Sequence, residues 1–313
     1  MTYEYDYFQN NGYIVLKKLI NEKKIDILLD ELNSFKDSNK LYYSQSDHNW
    51  IRVKDKLDNF NLLGSSFENF TNLMWANSLK KAGRDILQSD EILEALKSVS
   101  KEKKFCMWQN MFFDKSTGTV DHIDSWYLDT SPMGNLVAAW IALENIDGSG
   151  GNFHIYPKSH KKLPSSWMKL NHDEFVKWSN EISKNFKKKE ILLDKGDVLL
   201  WHPLLLHGSS SQVEEGKSRK SLTAHYYPMN FLRGGGGKEE QRGTNIYKIK
   251  VRKQNSKSRN FGYKIYCRDS RRVAFKASIS GFIKYYLNFK NSPNMLMNRL
   301  KYKFLTNESK RKN

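Results

Sequence analysis

The apolar positions in the first hundred residues follow a helical pattern, apart from one short strand. The run Tyr13–Leu16 is typical of a strand. After it, apolar residues recur at the spacing of one helix face, namely Ile25, Leu28, Leu29 and Leu32. Residues 66–100 continue with helical periodicity. The N-terminal part is therefore predicted to be a layer of helices packed on a sheet.

From residue 105 onward the pattern changes to short strands. The run FCMWQNMFF (Phe105–Phe113) is strongly aromatic, and turn signals such as DGSGG and DKGD separate the runs that follow. We predict these further strands: Leu136–Leu143, Asn152–Tyr156, Glu190–Leu193, Val198–Trp201 and Leu222–Tyr227. A helix over Asp173–Phe186 interrupts them. This order predicts an α+β fold in which helices buttress a barrel or a double-sheet jelly roll.

The positive charge is concentrated in the last quarter of the chain. The 313 residues carry a formal net charge of +18, and residues 233–313 contain 22 Lys and Arg against 4 Asp and Glu. Residues 1–232 are therefore balanced, with 30 charges of each sign. A run of four glycines follows Arg233, and such a run is typical of a flexible junction. We divide the chain into a body, residues 1–232, and a basic extension, residues 233–313.

Cysteine usage and hydropathy indicate a cytoplasmic protein. The chain has two cysteines, without CxxC spacing, which argues against a disulfide framework and against a thiolate metal site. The N-terminus lacks the basic flank and apolar run of a secretory signal. No apolar stretch approaches the roughly 18 residues that a membrane-spanning helix needs.

The basic extension has two interpretations. Within residues 274–305, apolar side chains recur at helical spacing between lysines and arginines. A basic amphipathic helix of this kind binds an anionic membrane surface, which predicts a peripheral location, or it docks on the barrel with a solvated basic face. Basic and aromatic residues also alternate between residues 248 and 272, but no recognised motif accompanies them, so a nucleic-acid partner is not favoured.

His122 and Asp124 stand two positions apart in a segment that alternates like a strand, so their side chains are expected on one face. By itself the pair fits an ordinary polar contact as well as half of a metal site. His207 follows the apolar strand of LLDKGDVLLWHPLLLHGSS and precedes small residues. Together the three match the two-histidine, one-carboxylate triad of non-haem Fe(II) oxygenases. His202 is a competing ligand, and its place in the apolar run indicates a core histidine instead.

Arg219 lies twelve residues after His207, in SRKSLTAHYY. A guanidinium binds a carboxylate in a bidentate manner, which a lysine ammonium does not. The alternative is an ordinary solvated basic loop, because Lys217 and Lys220 flank this arginine.

Several segments, taken together and in this order, resemble the phytanoyl-CoA dioxygenase-like family of Fe(II)/2-oxoglutarate-dependent oxygenases. They are YFQNNGYIVLKKLI, HIDSWYLDT, AAWIALENIDGSGGNFHIYPKSHK, KGDVLLWHPLLLHGSS and RKSLTAHYYP, and the resemblance covers roughly residues 5–230. It implies a double-stranded β-helix in which His122, Asp124 and His207 hold Fe(II). It also implies that 2-oxoglutarate chelates this ion and that Arg219 receives its distal carboxylate. Three further residues match co-substrate contacts of the family: Ser209, Trp140 and Met111.

The activity that the resemblance implies is hydroxylation of an unactivated C–H bond in a small molecule. Oxygen and 2-oxoglutarate are consumed, and succinate and CO2 are released. Halogenating relatives carry a small residue in place of the acidic ligand, whereas Asp124 is present here, which favours hydroxylation. The substrate is not identified, although a membrane-binding extension would favour a lipid-linked or glycan-linked one. The alternative function is a non-catalytic barrel that binds a membrane or polymer through the basic extension.

Overall fold

The computed structural model describes residues 3–38, 40–44, 49–73, 76–234 and 258–268. The helices of this part are α1 (Tyr3–Asn11), α2 (Glu22–Asp37), α3 (Asn77–Leu87), α4 (Asp90–Val99) and α5 (His172–Ser183). Its strands are β1 (Tyr13–Leu16), β2 (Leu41–Ser44), β3 (Asn49–Arg52), β4 (Phe67–Glu68), β5 (Phe105–Phe113), β6 (Asp129–Ser131), β7 (Val137–Ala142), β8 (Phe153–Ile155), β9 (Lys189–Ile191), β10 (Val198–Trp201), β11 (His207–Ser209), β12 (Ser221–Pro228), β13 (Leu232–Gly234), β14 (Ser258–Arg259) and β15 (Tyr266–Arg268).

One large sheet organises the molecule, with strand order β1-β10-β7-β12-β5-β15-β14 and β4 paired to β5. Its central strand, β12, pairs antiparallel with β5 and β7, so that Leu222 lies opposite both Phe112 and Ile141. Side chains of a strand alternate between the two faces of the sheet. Ser221, Thr223 and His225 therefore share the face opposite to that of Leu222.

A second sheet, of order β11-β8-β9, faces the large one. Trp140 and Trp201 of the large sheet belong to the same buried cluster as Phe153, Ile155 and Ile191 of the small sheet. This aromatic interior joins two sheets, which is the double-sheet arrangement that the strand pattern predicts.

Helices α2, α3 and α4 cover the outer face of the large sheet. Asn21 caps α2 by accepting a hydrogen bond from the Lys23 amide, and Ser89 caps α4 in the same way through the Ile92 amide. Their apolar stripes and the outer face of the sheet form one cluster, which includes Ile25, Leu28, Ile86, Leu96, Leu222, Ala224 and Tyr226. The predicted layer of N-terminal helices on a sheet is thus present.

Strong apolar runs locate the strands well, whereas short strands escape the pattern. The predicted strands Tyr13–Leu16, Phe105–Phe113 and Val198–Trp201 have the observed bounds. The segment 66–100 differs from its helical prediction at the start, because Phe67–Glu68 pairs with β5 as a strand. The predicted insert helix begins one residue earlier, at His172, since Asn171 and Glu174 form a capping box.

Part of the basic extension belongs to the large sheet. β15 pairs parallel with β5, and Gln88 of the α3–α4 junction donates a hydrogen bond to the Ile265 carbonyl. Two strands thus lie beyond the boundary that the charge distribution suggests. The predicted amphipathic segment 274–305 lies outside the described residues. Within the described part, no helix combines the length and apolar character needed to cross a membrane.

The packing of β15 generates a stability prediction. Ile265 is fully buried, whereas Ile27 on α2 is 58% exposed. Ile265→Ala should lower the free energy of unfolding by about 2–5 kcal/mol, because it leaves a cavity, and Ile27→Ala should change it by about 0.5 kcal/mol or less. Urea unfolding of the full chain measures both values. Equal, small effects would show that Ile265, the residue before β15, is not packed against the N-terminal helices and the large sheet.

Candidate active site

Two segments distant in the sequence meet through their backbones at His122 and His207. The His122 amide donates to the His207 carbonyl at 2.9 Å, and the His207 amide donates back at 3.0 Å. The two imidazole rings lie 4.2 Å apart, centroid to centroid. The His122 segment was predicted to be a regular strand. The structure shows an isolated bridge, followed by a 3-10 turn over Asp124–Trp126.

Both histidines turn the same ring nitrogen toward Asp124. Nδ1 of His122 lies 2.8 Å from the Val120 carbonyl, and Nδ1 of His207 lies 2.9 Å from the Leu205 carbonyl. Because a carbonyl only accepts, each Nδ1 carries the proton and each Nε2 keeps its lone pair. The two Nε2 atoms lie 3.7 and 3.6 Å from Oδ1 of Asp124.

These three side chains fit a metal ion. One donor atom from each lies within 4.8 Å of the other two. Burial raises the pKa of Asp124, but the charges of His207, His225 and His122 outweigh it and hold this pKa below its usual value. Burial lowers the pKa of His207 to about 4. At neutral pH Asp124 is therefore an ionised carboxylate and His207 a neutral imidazole, which are the forms that bind a divalent metal.

Arg219 is a buried cation without a carboxylate partner among the described residues. Its side chain is 3% exposed, and Nε and Nη1 have no hydrogen-bond acceptor there. Burial lowers its pKa to about 10, so it remains charged at neutral pH. Its backbone amide donates to the Asp114 carbonyl at 2.8 Å, and its guanidinium carbon lies 5.6 Å from the centre of the Trp140 ring. This environment does not fit the solvated loop that flanking lysines suggest.

The remaining predicted residues are Trp140 on β7, Met111 on β5 and Ser209 on β11, the strand that begins at His207. Trp140 on β7 and Met111 on β5 both lie opposite Thr223 on β12, so the three occupy neighbouring positions on one face. Ser209 is buried, and its hydroxyl accepts a hydrogen bond from the Thr119 amide at 2.9 Å. Thr223 was not predicted as a site residue. Its position opposite both Met111 and Trp140 depends on the pairing of β12 with two strands.

His202 lies apart from the donor set. Its ring is 5.0 Å from the His160 ring and 6.3 Å from the Phe8 ring, and its Nδ1 accepts a hydrogen bond from the Leu204 amide. Burial lowers its pKa to about 3, which keeps it neutral. These contacts agree with the core role that its position in the sequence indicates.

A polar network that sequence reasoning missed supports the segment before His122. Asp121 accepts hydrogen bonds from Nε2 of His154 and from the Tyr156 hydroxyl, each at 2.6 Å. A Cβ atom at Gly208 would lie 2.6 Å from the Asp121 carboxylate. Glycine is thus required beside His207 for this close approach. The only sequence signal for this close approach is the small residue that follows His207.

The insert helix supports the turn that carries Asp124. The Trp126 ring stacks on the Phe175 ring of α5, with centroids 4.7 Å apart. Tyr127 lies edge-on to His122 at 5.7 Å, and its hydroxyl is 3.4 Å from Nε2 of His172. The insert therefore forms a wall beside the donor set.

A family model described as phytanoyl-CoA dioxygenase (PhyH) matches residues 8–221, which is more than half of the chain. The chain belongs to this family, whose members are Fe(II)- and 2-oxoglutarate-dependent oxygenases. It is 29% identical over 119 residues to the peroxisomal phytanoyl-CoA dioxygenase of Bos taurus, a match that covers 35% of the chain and 33% of the relative. The match thus spans about a third of that relative's length.

Other comparisons extend over more of the chain. A phytanoyl-CoA dioxygenase domain-containing protein 1 homolog of Caenorhabditis elegans is 22% identical over 254 residues, covering 70% of the chain and 88% of the relative. The structure of EctD from S. alaskensis with 2-oxoglutarate and 5-hydroxyectoine has a TM-score of 0.58 at 13% identity, covering 85% of this chain and 87% of that one. The carbocyclase SnoK has a TM-score of 0.57 at 13% identity, covering 77% and 89%. These structures show the double-stranded β-helix fold.

The donor geometry generates a metal-binding prediction. Co(II) is a suitable probe, because it is stable in oxygen and takes the same donors. Loss of a residue that only contacts a metal ligand weakens metal binding by about 10–100-fold. Asp124→Ala removes a ligand itself, so the dissociation constant for Co(II) should rise by more than this. Calorimetric titration measures it. Asp147→Ala is the control, because Asp147 lies in an exposed turn. Equal affinities of Asp124→Ala and wild type would contradict the assignment.

Proposed function

We propose that this chain is an Fe(II)- and 2-oxoglutarate-dependent hydroxylase that acts on a small molecule. The proposal is carried by the presence, inside one barrel, of the donor set His122, Asp124 and His207 and of the buried Arg219, whose Nε and Nη1 have no acceptor among the described residues. A barrel that served only as a scaffold would have no use for a buried carboxylate ringed by imidazoles and for a buried cation awaiting an acceptor.

The residues divide the work by chemistry. Iron, 2-oxoglutarate and oxygen together supply the oxidation that places one oxygen atom in a C–H bond and the other in succinate, with loss of CO2. His122, Asp124 and His207 would hold the metal as a two-histidine, one-carboxylate set, a type of site that leaves positions free for other ligands. Arg219 binds and orients the distal carboxylate of 2-oxoglutarate through its N–H groups. Asp124 as a ligand favours hydroxylation over halogenation.

Aromatic rings pack around the donor His207. Phe153 stacks on His207, with ring centroids 5.6 Å apart, and on Trp140 at 5.0 Å. The Trp201 ring lies 5.2 Å from the His207 ring. Such packing fixes the rings in one orientation, so a bound substrate meets a preorganised site.

A small-molecule substrate is supported by the structural neighbours. The EctD structure contains 5-hydroxyectoine, and the structure of the epimerase SnoN is a complex with nogalamycin RO. We propose that Tyr127 and His172 contact the substrate. The Tyr127 ring lies beside His122, and its hydroxyl is close to Nε2 of His172.

The test of the function is the release of succinate by the purified full chain supplied with Fe(II), 2-oxoglutarate and oxygen. Slow release without added substrate is expected for wild type, and none for Asp124→Ala. A wild-type protein that binds Fe(II) and 2-oxoglutarate but releases no succinate above the Asp124→Ala level would favour the non-catalytic barrel.

Arg219→Lys should weaken 2-oxoglutarate binding by about 10–100-fold, because a charge-assisted bidentate contact worth about 1.5–3 kcal/mol is replaced by a point charge. Anaerobic calorimetry of the Fe(II)-loaded protein measures the dissociation constant. Lys217→Met is the control, since Lys217 is exposed and close in sequence. Unchanged 2-oxoglutarate affinity in Arg219→Lys would remove the arginine from the co-substrate site.

We also propose, from the sequence pattern alone, that residues 274–305 contact an anionic membrane surface, where each Lys or Arg contributes about 1 kcal/mol. Vesicles containing anionic lipid should then retain the full chain but not a chain that ends at residue 268, which keeps β15. Equal retention of both would remove the membrane proposal, and with it the reason to favour a lipid-linked or glycan-linked substrate.

A further inference from the structure

His225 is a buried histidine directed at the carboxylate of Asp124. It lies on β12 opposite Gln109 of β5 and Ala138 of β7, and its side chain is 4% exposed. Its Nε2 lies 3.3 Å from Oδ2 of Asp124. Within the described part of the chain, neither ring nitrogen has a hydrogen-bond partner, so the contact with Oδ2 is a close approach of two polar atoms. A buried polar group of this kind requires an explanation.

The two oxygens of Asp124 have different surroundings. Oδ1 faces the Nε2 atoms of His122 and His207 at 3.7 and 3.6 Å. Oδ2 accepts a hydrogen bond from the Trp201 indole at 2.8 Å and faces His225 on another strand. One donor alone would let the carboxylate rotate about its Cβ–Cγ bond. The Trp201 indole on β10 and the His225 ring on β12 approach Oδ2 from different strands, which restricts this rotation.

Strand alternation places His225 on the inner face of β12, and the pairing with β5 is irregular next to it. Its pairing with β5 shifts register immediately after this residue, because His225 lies opposite Gln109 and Tyr226 lies opposite Met107. Trp108 is therefore the extra residue of a β-bulge. Bulges near active sites redirect side chains and increase the local twist.

We propose that His225, together with Trp201, holds Oδ2 away from the metal, so that Asp124 supplies one ligand atom, Oδ1. His225 is a positioning residue, and the inference rests on the proposed iron site. If Oδ2 also reached the metal, Asp124 would occupy a position that 2-oxoglutarate or oxygen needs. The histidine thus preserves the open positions of the site without touching the co-substrate.

The experiment compares His225→Phe, His225→Gln and His225→Asn in the full chain, with Co(II) as the probe. The Gln amide reaches as far as Nε2 of histidine and keeps a donor, the Asn amide is too short, and Phe keeps the ring without a donor. Co(II) affinity, the visible spectrum of the Co(II) protein and the unfolding temperature of the metal-free protein are measured. His202→Phe is the control, because it also removes a histidine that packs among other rings, outside the donor set.

We expect the Co(II) dissociation constant to rise about 10–100-fold in His225→Phe and His225→Asn, with a changed visible spectrum, and to remain near wild type in His225→Gln and His202→Phe. Should His225→Phe not fold, the Gln and Asn pair decides. Wild-type Co(II) affinity and spectrum in His225→Asn would overturn the proposal. So would equal losses in His225→Gln and His225→Asn, because these would indicate a packing role.

Failure of the proposed function has a different signature. A wild-type chain that binds Co(II), shows the expected order of the His225 variants and releases no succinate keeps the positioning role and loses the hydroxylase. A wild-type chain that binds no Co(II) overturns both.

Discussion

The reciprocal pair of backbone hydrogen bonds between His122 and His207 is the constraint on which the site depends. These bonds place two histidines from distant segments side by side, and the turn that starts at Asp124 then brings in the carboxylate. Both sheets restrain the donor residues. His207 lies on β11, which pairs with β8 in the small sheet, and the Trp201 indole on β10 of the large sheet donates a hydrogen bond to Asp124. A metal that binds here meets ligands already in place, so little ordering entropy opposes binding.

The barrel accommodates opposite charges at separate places in a buried interior. Asp124 is surrounded by imidazoles and an indole donor, whereas Arg219 has no anionic neighbour among the described residues. Burial of an unpaired cation is costly. The backbone amide of Arg219 donates to the Asp114 carbonyl, and the Asp114 carboxylate is paired with Lys36 of α2. These contacts hold the arginine backbone in place. A ligand carboxylate would offset the cost, so the same feature that destabilises the free protein favours co-substrate binding.

Sequence reasoning reaches the elements whose signal is local. Strong apolar runs such as Phe105–Phe113 locate strands, and the types and order of His122, Asp124, His207 and Arg219 suggest their chemistry. The short strands β4 and β15 are missed, because they exist through pairing with β5 rather than through their own pattern. The contact of His225 with Asp124 is missed for a related reason: the strand pattern gives the face of His225, but the approach of β12 to the turn at Asp124 has no local signal in the sequence.

The most direct test of the central claim is a crystal structure of the Fe(II)-loaded protein, grown without oxygen and measured at the iron absorption edge. The account predicts one anomalous peak at coordination distance from Nε2 of His122, Nε2 of His207 and Oδ1 of Asp124. An iron peak bound by other side chains, with no peak beside His122, His207 and Asp124, would contradict the assignment.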